Sequence, residues 1–142
     1  MTVTPLEGTM TLRVYDTRSR SKRIFKPLVD GQVGIYACGI TPYSPSHIGH
    51  ARQAIAFDII VRWLRKTGFK VNYISNFTYI DHKIISVSSV EGVDFLEVAN
   101  RNIDDYFQVM DSLNVTRANS YPRVTETIPE IIEMIQDLID KK

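Results

Sequence analysis

Between residues 32 and 76 the chain switches its hydrophobic period twice, and this switch constrains its fold more than any other feature. Gln32 to Ala37, QVGIYA, follows Asp30-Gly31 and is short, apolar and rich in β-branched and aromatic residues, as a buried strand is. Gly39, Pro42, Ser44, Pro45 and Ser46 are then too many breakers for a regular element, so a loop leaves the strand. From about Gly49 to Lys66, Ala54, Ile55, Ile59, Trp63 and Leu64 recur at helical spacing, and Gly68 supplies a stop. Lys70 to Asn76, KVNYISN, returns to a short β-rich run. Strand, loop, helix, strand is a βαβ unit, whose right-handed crossover makes the two strands parallel in an α/β fold. Ligands of such sheets bind beyond the carboxyl ends of the strands, where 38–46 and 76–83 both lie.

The flanking segments are read with less constraint. Residues 1–10 form a loose lead-in, and Leu12 to Tyr15 with Arg23 to Leu28 suggest a β-hairpin around the polar run Thr17 to Lys22. Asp94-x-x-Glu97 predicts a capping box opening a helix with Phe95, Val98, Ile103, Tyr106, Met110 and Leu113 on one side. Thr127-x-x-Glu130 predicts a second box, with Pro129 in the first turn. The inner face there is Ile128, Ile131, Ile132, Ile135, Leu138 and Ile139. Both stripes are expected to be core.

Composition excludes several function classes. A hydrophobic content of 44% in 142 residues is enough for one domain with a real core, or for half of a larger one. Net charge is +1, so no overall field drives unspecific nucleic-acid binding. The basic run Arg13, Arg18, Arg20, Lys22, Arg23 and Lys26 outweighs Glu7 and Asp16, and by itself it reads as a solvated hairpin tip. The single cysteine allows no internal disulfide and no CxxC module, which suits a reducing cytoplasm. No apolar run approaches the roughly 18 residues of a membrane span and no leader pattern opens the chain, so a cytoplasmic location is expected.

The residues that carry chemistry are His47-Ile48-Gly49-His50, placed after a strand and a turn and ahead of a helix. The first turn of a helix has unpaired N–H groups and a positive dipole end, and glycine at 49 lets an anion approach the backbone. His47 and His50 can donate to phosphate oxygens, and donors aimed where charge develops lower a phosphoryl-centred barrier.

With CGITPY immediately upstream, the string Cys38 to Arg52 resembles the ATP and amino-acid site of a cysteinyl-tRNA synthetase, a class I aminoacyl-tRNA synthetase. The chain from Leu12 to Lys142 is similar to the start of that family. The resemblance implies the first half of a Rossmann-like nucleotide-binding parallel sheet with flanking helices, residues 11–142 being the N-terminal part of the catalytic domain. It implies ATP with magnesium, cysteine and tRNA as substrates and partners, and cysteinyl-adenylate formation as the activity. His47, Gly49 and His50 would meet ATP, and His47 and His50 would be catalytic. Gly39, Thr41 and Thr78 would meet the aminoacyl part, and Cys38 would be one ligand of a zinc ion that selects the substrate thiolate.

The chain also departs from the family pattern. Where members continue T-D-I-D-D-K, it has Thr78-Tyr79-Ile80-Asp81-His82-Lys83, which is expected to remove two negative charges from a surface facing the site. The other zinc ligands and the K-M-S-K-S loop have no counterpart in these residues, so a second polypeptide or self-association is expected to complete the site. Two further readings stay open. One is a cysteine ligase of the mycothiol pathway. The other is a non-catalytic paralogue that binds nucleotide, tRNA or a protein partner.

Overall fold

A computed structural model of the protein describes residues 12–141; the lead-in read for residues 1–10 lies outside them. The βαβ unit is present with the boundaries its pattern dictates. Strand β1 (Arg13–Asp16) and strand β2 (Ser21–Ile24) form an antiparallel hairpin, and β2 begins and ends earlier than the Arg23 to Leu28 stretch read from the sequence. Strand β3 (Gln32–Ala37), helix α1 (Ile48–Lys66) and strand β4 (Lys70–Ser75) follow, with β3 and β4 parallel in the register Gln32↔Lys70 to Ala37↔Ser75. Gly68, at φ 97°, makes the left-handed turn that ends α1.

Three further helices complete the chain: α2 (His82–Glu91), α3 (Phe95–Ser112) and, after a 3-10 turn at Val124–Glu126, α4 (Ile128–Asp140). The connection before that turn adds two parallel β-bridges, Ile74↔Ser120 to β4 and Phe77↔Arg123 just beyond its end. Among the described residues no strand pairs with the other edge of β3.

Two apolar layers hold this frame. Val33, Ala37, Val61, Leu64, Val71 and Tyr73 join α1 to the strands, and Leu12 and Phe25 pin the hairpin against the same cluster. Ile40, Phe77, Tyr79, Ile84, Val98, Ala99 and Ile103 form the second, between the loops after β3 and β4 and helices α2 and α3. Asp58, nearly buried on α1, accepts from Arg62 Nε at 2.7 Å and from the Thr116 amide at 3.0 Å. It thereby ties α1 to the segment after α3. Burial pulls the Asp58 carboxyl up, but its bonds to Arg62 and Thr116 outweigh that and hold it below its ordinary range.

Several sequence expectations are corrected here. The stripe Ile128, Ile131, Ile132, Ile135, Leu138 and Ile139 is exposed and α4 buries no residue, because among the described residues no element lies over that face. Its amphipathic period is real, but period encodes a face and not its cover. Thr127 caps nothing: its hydroxyl donates to the carbonyls of Arg123 and Val124 in the preceding turn, so the second capping box does not form. Asp94 does cap α3, accepting from the Leu96 amide at 2.7 Å. Leu113, expected in that core, is exposed at the end of α3. Helix α2 was not anticipated, although Asp81 caps it and Gly92, at φ 69°, ends it.

Candidate functional site

The carboxyl ends of β3 and β4 and the start of α1 come together as the crossover requires. His47 is the N-cap of α1, with extended backbone, and its Nδ1 accepts from the Gly49 amide at 3.1 Å. The Nδ1 of His50 accepts in turn from the His47 amide at 3.4 Å, and the two rings stack at 3.8 Å with an interplanar angle of 22°. This is a reciprocal cap in which imidazoles take the roles that Ser/Thr and Glu hold in a capping box. A ring nitrogen that accepts carries no hydrogen, so each neutral ring has its proton on Nε2. Among the described residues neither Nε2 has a partner, leaving one N–H donor per ring. Burial, and then the neighbouring His47, push His50 below the ordinary histidine range, which keeps it neutral at pH 7.

Glycine at 49 has a local reason. A Cβ there would lie 2.8 Å from Cε1 and 3.0 Å from Nδ1 of His47, displacing the capping ring.

Cys38 is exposed at the end of β3. Its carbonyl accepts from Gln53 Nε2 on α1, which places the strand end beside the first turns of the helix. Gly39 is pressed against the end of β4: its amide donates to Asn76 Oδ1 at 2.8 Å, and a Cβ would lie 1.6 Å from the Asn76 carbonyl oxygen. One residue on, the Thr78 amide donates to Ile40 O at 3.1 Å. The Thr78 hydroxyl has no partner among the described residues, so it is not spent on its own loop. The Thr41 carbonyl accepts from the Tyr43 amide at 2.9 Å, closing a tight turn. Cys38, Gly39, Thr78, His47, Gly49 and His50 therefore border one end of the sheet.

Residues that the sequence reading passed over hold this loop in place. Asn102 Nδ2 on α3 donates to Pro42 O at 3.2 Å, and Asp105 Oδ2 accepts from the Ser46 amide at 2.7 Å. Gln53 completes the set, together with Asn76, the first residue of the Asn76-Phe77-Thr78 run that resembles the family's N-x-T after the second strand.

Tyr79 corrects another expectation. It is buried, not facing the site; its hydroxyl donates to Asn100 Oδ1, and Arg123 lies 4.6 Å above its ring. Burial raises its phenol above the ordinary value. The aromatic there fills the core under α2 and α3. His82 is exposed at the start of α2, 3.5 Å from the Asp81 carboxylate. Lys83 reaches over the Tyr43 ring at 5.0 Å.

The donors present do not form a metal site. Among the described residues no group of three or more His, Cys, Asp or Glu is placed to hold an ion, and Cys38 offers a single thiol. A recess of about 630 Å³ lies at the other end of the strands, lined by Phe25, Val33, Lys70 and Val71 among others. Its lining spans both parallel strands and the segment before β3, and its only charged groups are Lys26 and Lys70.

Residues 24–142 match the family of tRNA synthetases class I (C) catalytic domain. The chain belongs to that family. It is 48% identical over 130 residues to the cysteine--tRNA ligase of Thermodesulfovibrio yellowstonii and 46% identical over 128 residues to that of Cronobacter sakazakii. Those matches take in 92% and 90% of this chain but only 27% and 28% of the relatives, so the chain corresponds to about a quarter of their length. Among solved structures it is similar to Mycobacterium tuberculosis methionyl-tRNA synthetase in complex with methionyl-adenylate, with a TM-score of 0.58 and 26% identity. That match covers 65% of this chain and 18% of the synthetase. A second structure of that enzyme bound by methionyl-adenylate gives a TM-score of 0.58 with 27% identity. The fold is thus the partial Rossmann-like α/β sheet of class I synthetases. No helix among the described residues is long and apolar enough to cross a membrane.

Proposed function

We propose that residues 11–142 are the N-terminal part of a cysteinyl-tRNA synthetase catalytic domain and that the end of the sheet binds ATP and cysteine for cysteinyl-adenylate formation. The observation that carries this reading is the reciprocal histidine cap, which leaves two Nε2–H donors at the positive end of a 19-residue helix. The carboxylate of cysteine attacks the α-phosphorus of ATP, an acyl-phosphate bond forms, and pyrophosphate leaves with the electrons of the broken bond. Charge accumulates on the phosphate oxygens, and His47 and His50 donate to them. Losing one preorganised donor of this kind costs about 3 kcal/mol of transition-state stabilisation.

Gly39 and Thr41 border the aminoacyl part, and the unspent Thr78 hydroxyl hydrogen-bonds the substrate. Magnesium accompanies the triphosphate. Cys38 is one soft donor; alone it does not make a zinc site, and no step above runs through a metal. Transfer of the activated cysteine to tRNA needs polypeptide beyond this quarter of the relatives' length. The edge of β3 and the face of α4 that no described residue covers are where a second copy or further polypeptide packs.

Cysteine-dependent exchange of pyrophosphate into ATP tests the reading. Exchange by the chain that falls at least a hundredfold in His50→Ala supports it. Exchange that is absent with every amino acid, while ATP still binds, favours the nucleotide-binding paralogue instead.

A further inference from the structure

An excess of positive charge gathers at one place, far from the nucleotide site. Residues 12–28 carry six cations, Arg13, Arg18, Arg20, Lys22, Arg23 and Lys26, against the single acid Asp16, in a chain whose net charge is only +1. All six sit on or beside the β1–β2 hairpin, and only Arg23 has an acidic partner among the described residues, Asp16 at 3.7 Å.

The register sorts the side chains by face. Tyr15 lies directly opposite Lys22, and Arg13 lies opposite Ile24, so these four share one face of the ribbon. Tyr15 is 61% exposed and Ile24 54%. An exposed aromatic flanked by cations, with Arg18 and Arg20 at the tip, is the composition of a platform on which bases stack while phosphates are neutralised. A merely solvated tip needs no such aromatic.

The hairpin is a fixed projection. Phe25, just after β2, packs edge-on against Phe69 at 6.2 Å, and the Phe25 amide donates to Leu12 O at 2.8 Å. Phe69 immediately precedes β4, so the hairpin stands at the amino ends of the parallel strands. The histidines and Cys38 are at the carboxyl ends, about 20 Å away along six strand residues.

We propose that the β1–β2 hairpin is a second binding surface, for single-stranded nucleic acid, with Tyr15 stacking on a base and Arg13, Arg18, Arg20 and Lys22 contacting the phosphodiester backbone. The surface is independent of the nucleotide site and of the activity proposed above.

Fluorescence anisotropy of a labelled oligo(U) strand, titrated with the chain at several salt concentrations, tests it. Three to five neutralised phosphates give a log–log salt slope of about −2 to −3.5, at about 0.7 per phosphate. The triple variant Arg18→Ser, Arg20→Ser, Lys22→Ser should lower affinity at least tenfold and flatten the slope by about 2. Tyr15→Ser should weaken binding roughly tenfold with the slope unchanged. All four positions are exposed, so the fold survives these changes. Three results would overturn the proposal: affinity unmoved by the triple variant, equal competition by poly-glutamate, which would mark an acidic-protein site, and loss of RNA affinity in His50→Ala, which would put the RNA in the nucleotide site.

Discussion

Replacing Gly39 by alanine tests whether the ends of the two strands are held together as described. The added methyl would lie 1.6 Å from the Asn76 carbonyl oxygen, 2.8 Å from its carbon and 3.2 Å from Ser75 Oγ. Backbone cannot swing aside as a side chain can, so the ends of β3 and β4 must part. Two hydrogen bonds across the gap are then lost, Gly39 N–H to Asn76 Oδ1 at 2.8 Å and Thr78 N–H to Ile40 O at 3.1 Å. At about 1 kcal/mol each, with roughly 1–3 kcal/mol of overpacking strain, the expected destabilisation is about 4 kcal/mol. That is a large part of the roughly 5–15 kcal/mol stability of an ordinary domain. Equilibrium urea unfolding followed by fluorescence of the single tryptophan, Trp63, measures it. Gly34→Ala is the internal control: it lies in the same strand with nothing within 4 Å of an added methyl, and should be neutral or stabilising by about 0.5 kcal/mol. If Gly39→Ala behaves like Gly34→Ala, the strand ends do not approach as stated and the reasoning is wrong.

Two more outcomes follow from the electrostatics. His50 has its pKa lowered by the fold, so its contribution to stability is complete above the ordinary histidine value of 6.5. It is lost as pH falls below that, where the unfolded chain takes up the proton first. The melting temperature should therefore drop on acidification from pH 7, and less so in His50→Gln; a profile identical in the two proteins refutes the cap. Asp58→Ala removes the acceptor of both Arg62 and the Thr116 amide and should cost about 3 kcal/mol in the same urea assay. A loss below 1 kcal/mol would mean that α1 and the segment after α3 are not joined there.

The βαβ unit was readable because each boundary has a local cause: Asp30-Gly31 before β3, the proline-rich turn after it and Gly68 behind α1. Helix α2 was not, since HKIISVSSVE mixes β-branched and serine residues with little amphipathic bias and buries only Ile84. What lies over a helix is equally hidden. The same kind of apolar stripe is core on α3, at Val98, Ile103 and Met110, and exposed on α4. In the candidate site, His47, Gly49 and His50 were legible from their position ahead of a helix together with the CGITPY run upstream, which carries the family resemblance. The histidine cap was not, because which ring nitrogen meets which amide depends on rotamers. Tyr79 shows the opposite error: judged from a family pattern, it looked like a change of surface charge, yet it packs in the core.

In the function proposed above, the two capping imidazoles face the phosphates of ATP. The chain has three histidines, His47, His50 and His82, so a titration with ATP followed by imidazole ¹⁵N NMR resolves each one. The Nε2 resonances of His47 and His50 should shift on binding, as protonated donors meeting an anion, while their Nδ1 resonances keep the character of acceptors. Saturable ATP binding that moves only His82, or none of the three, would contradict it.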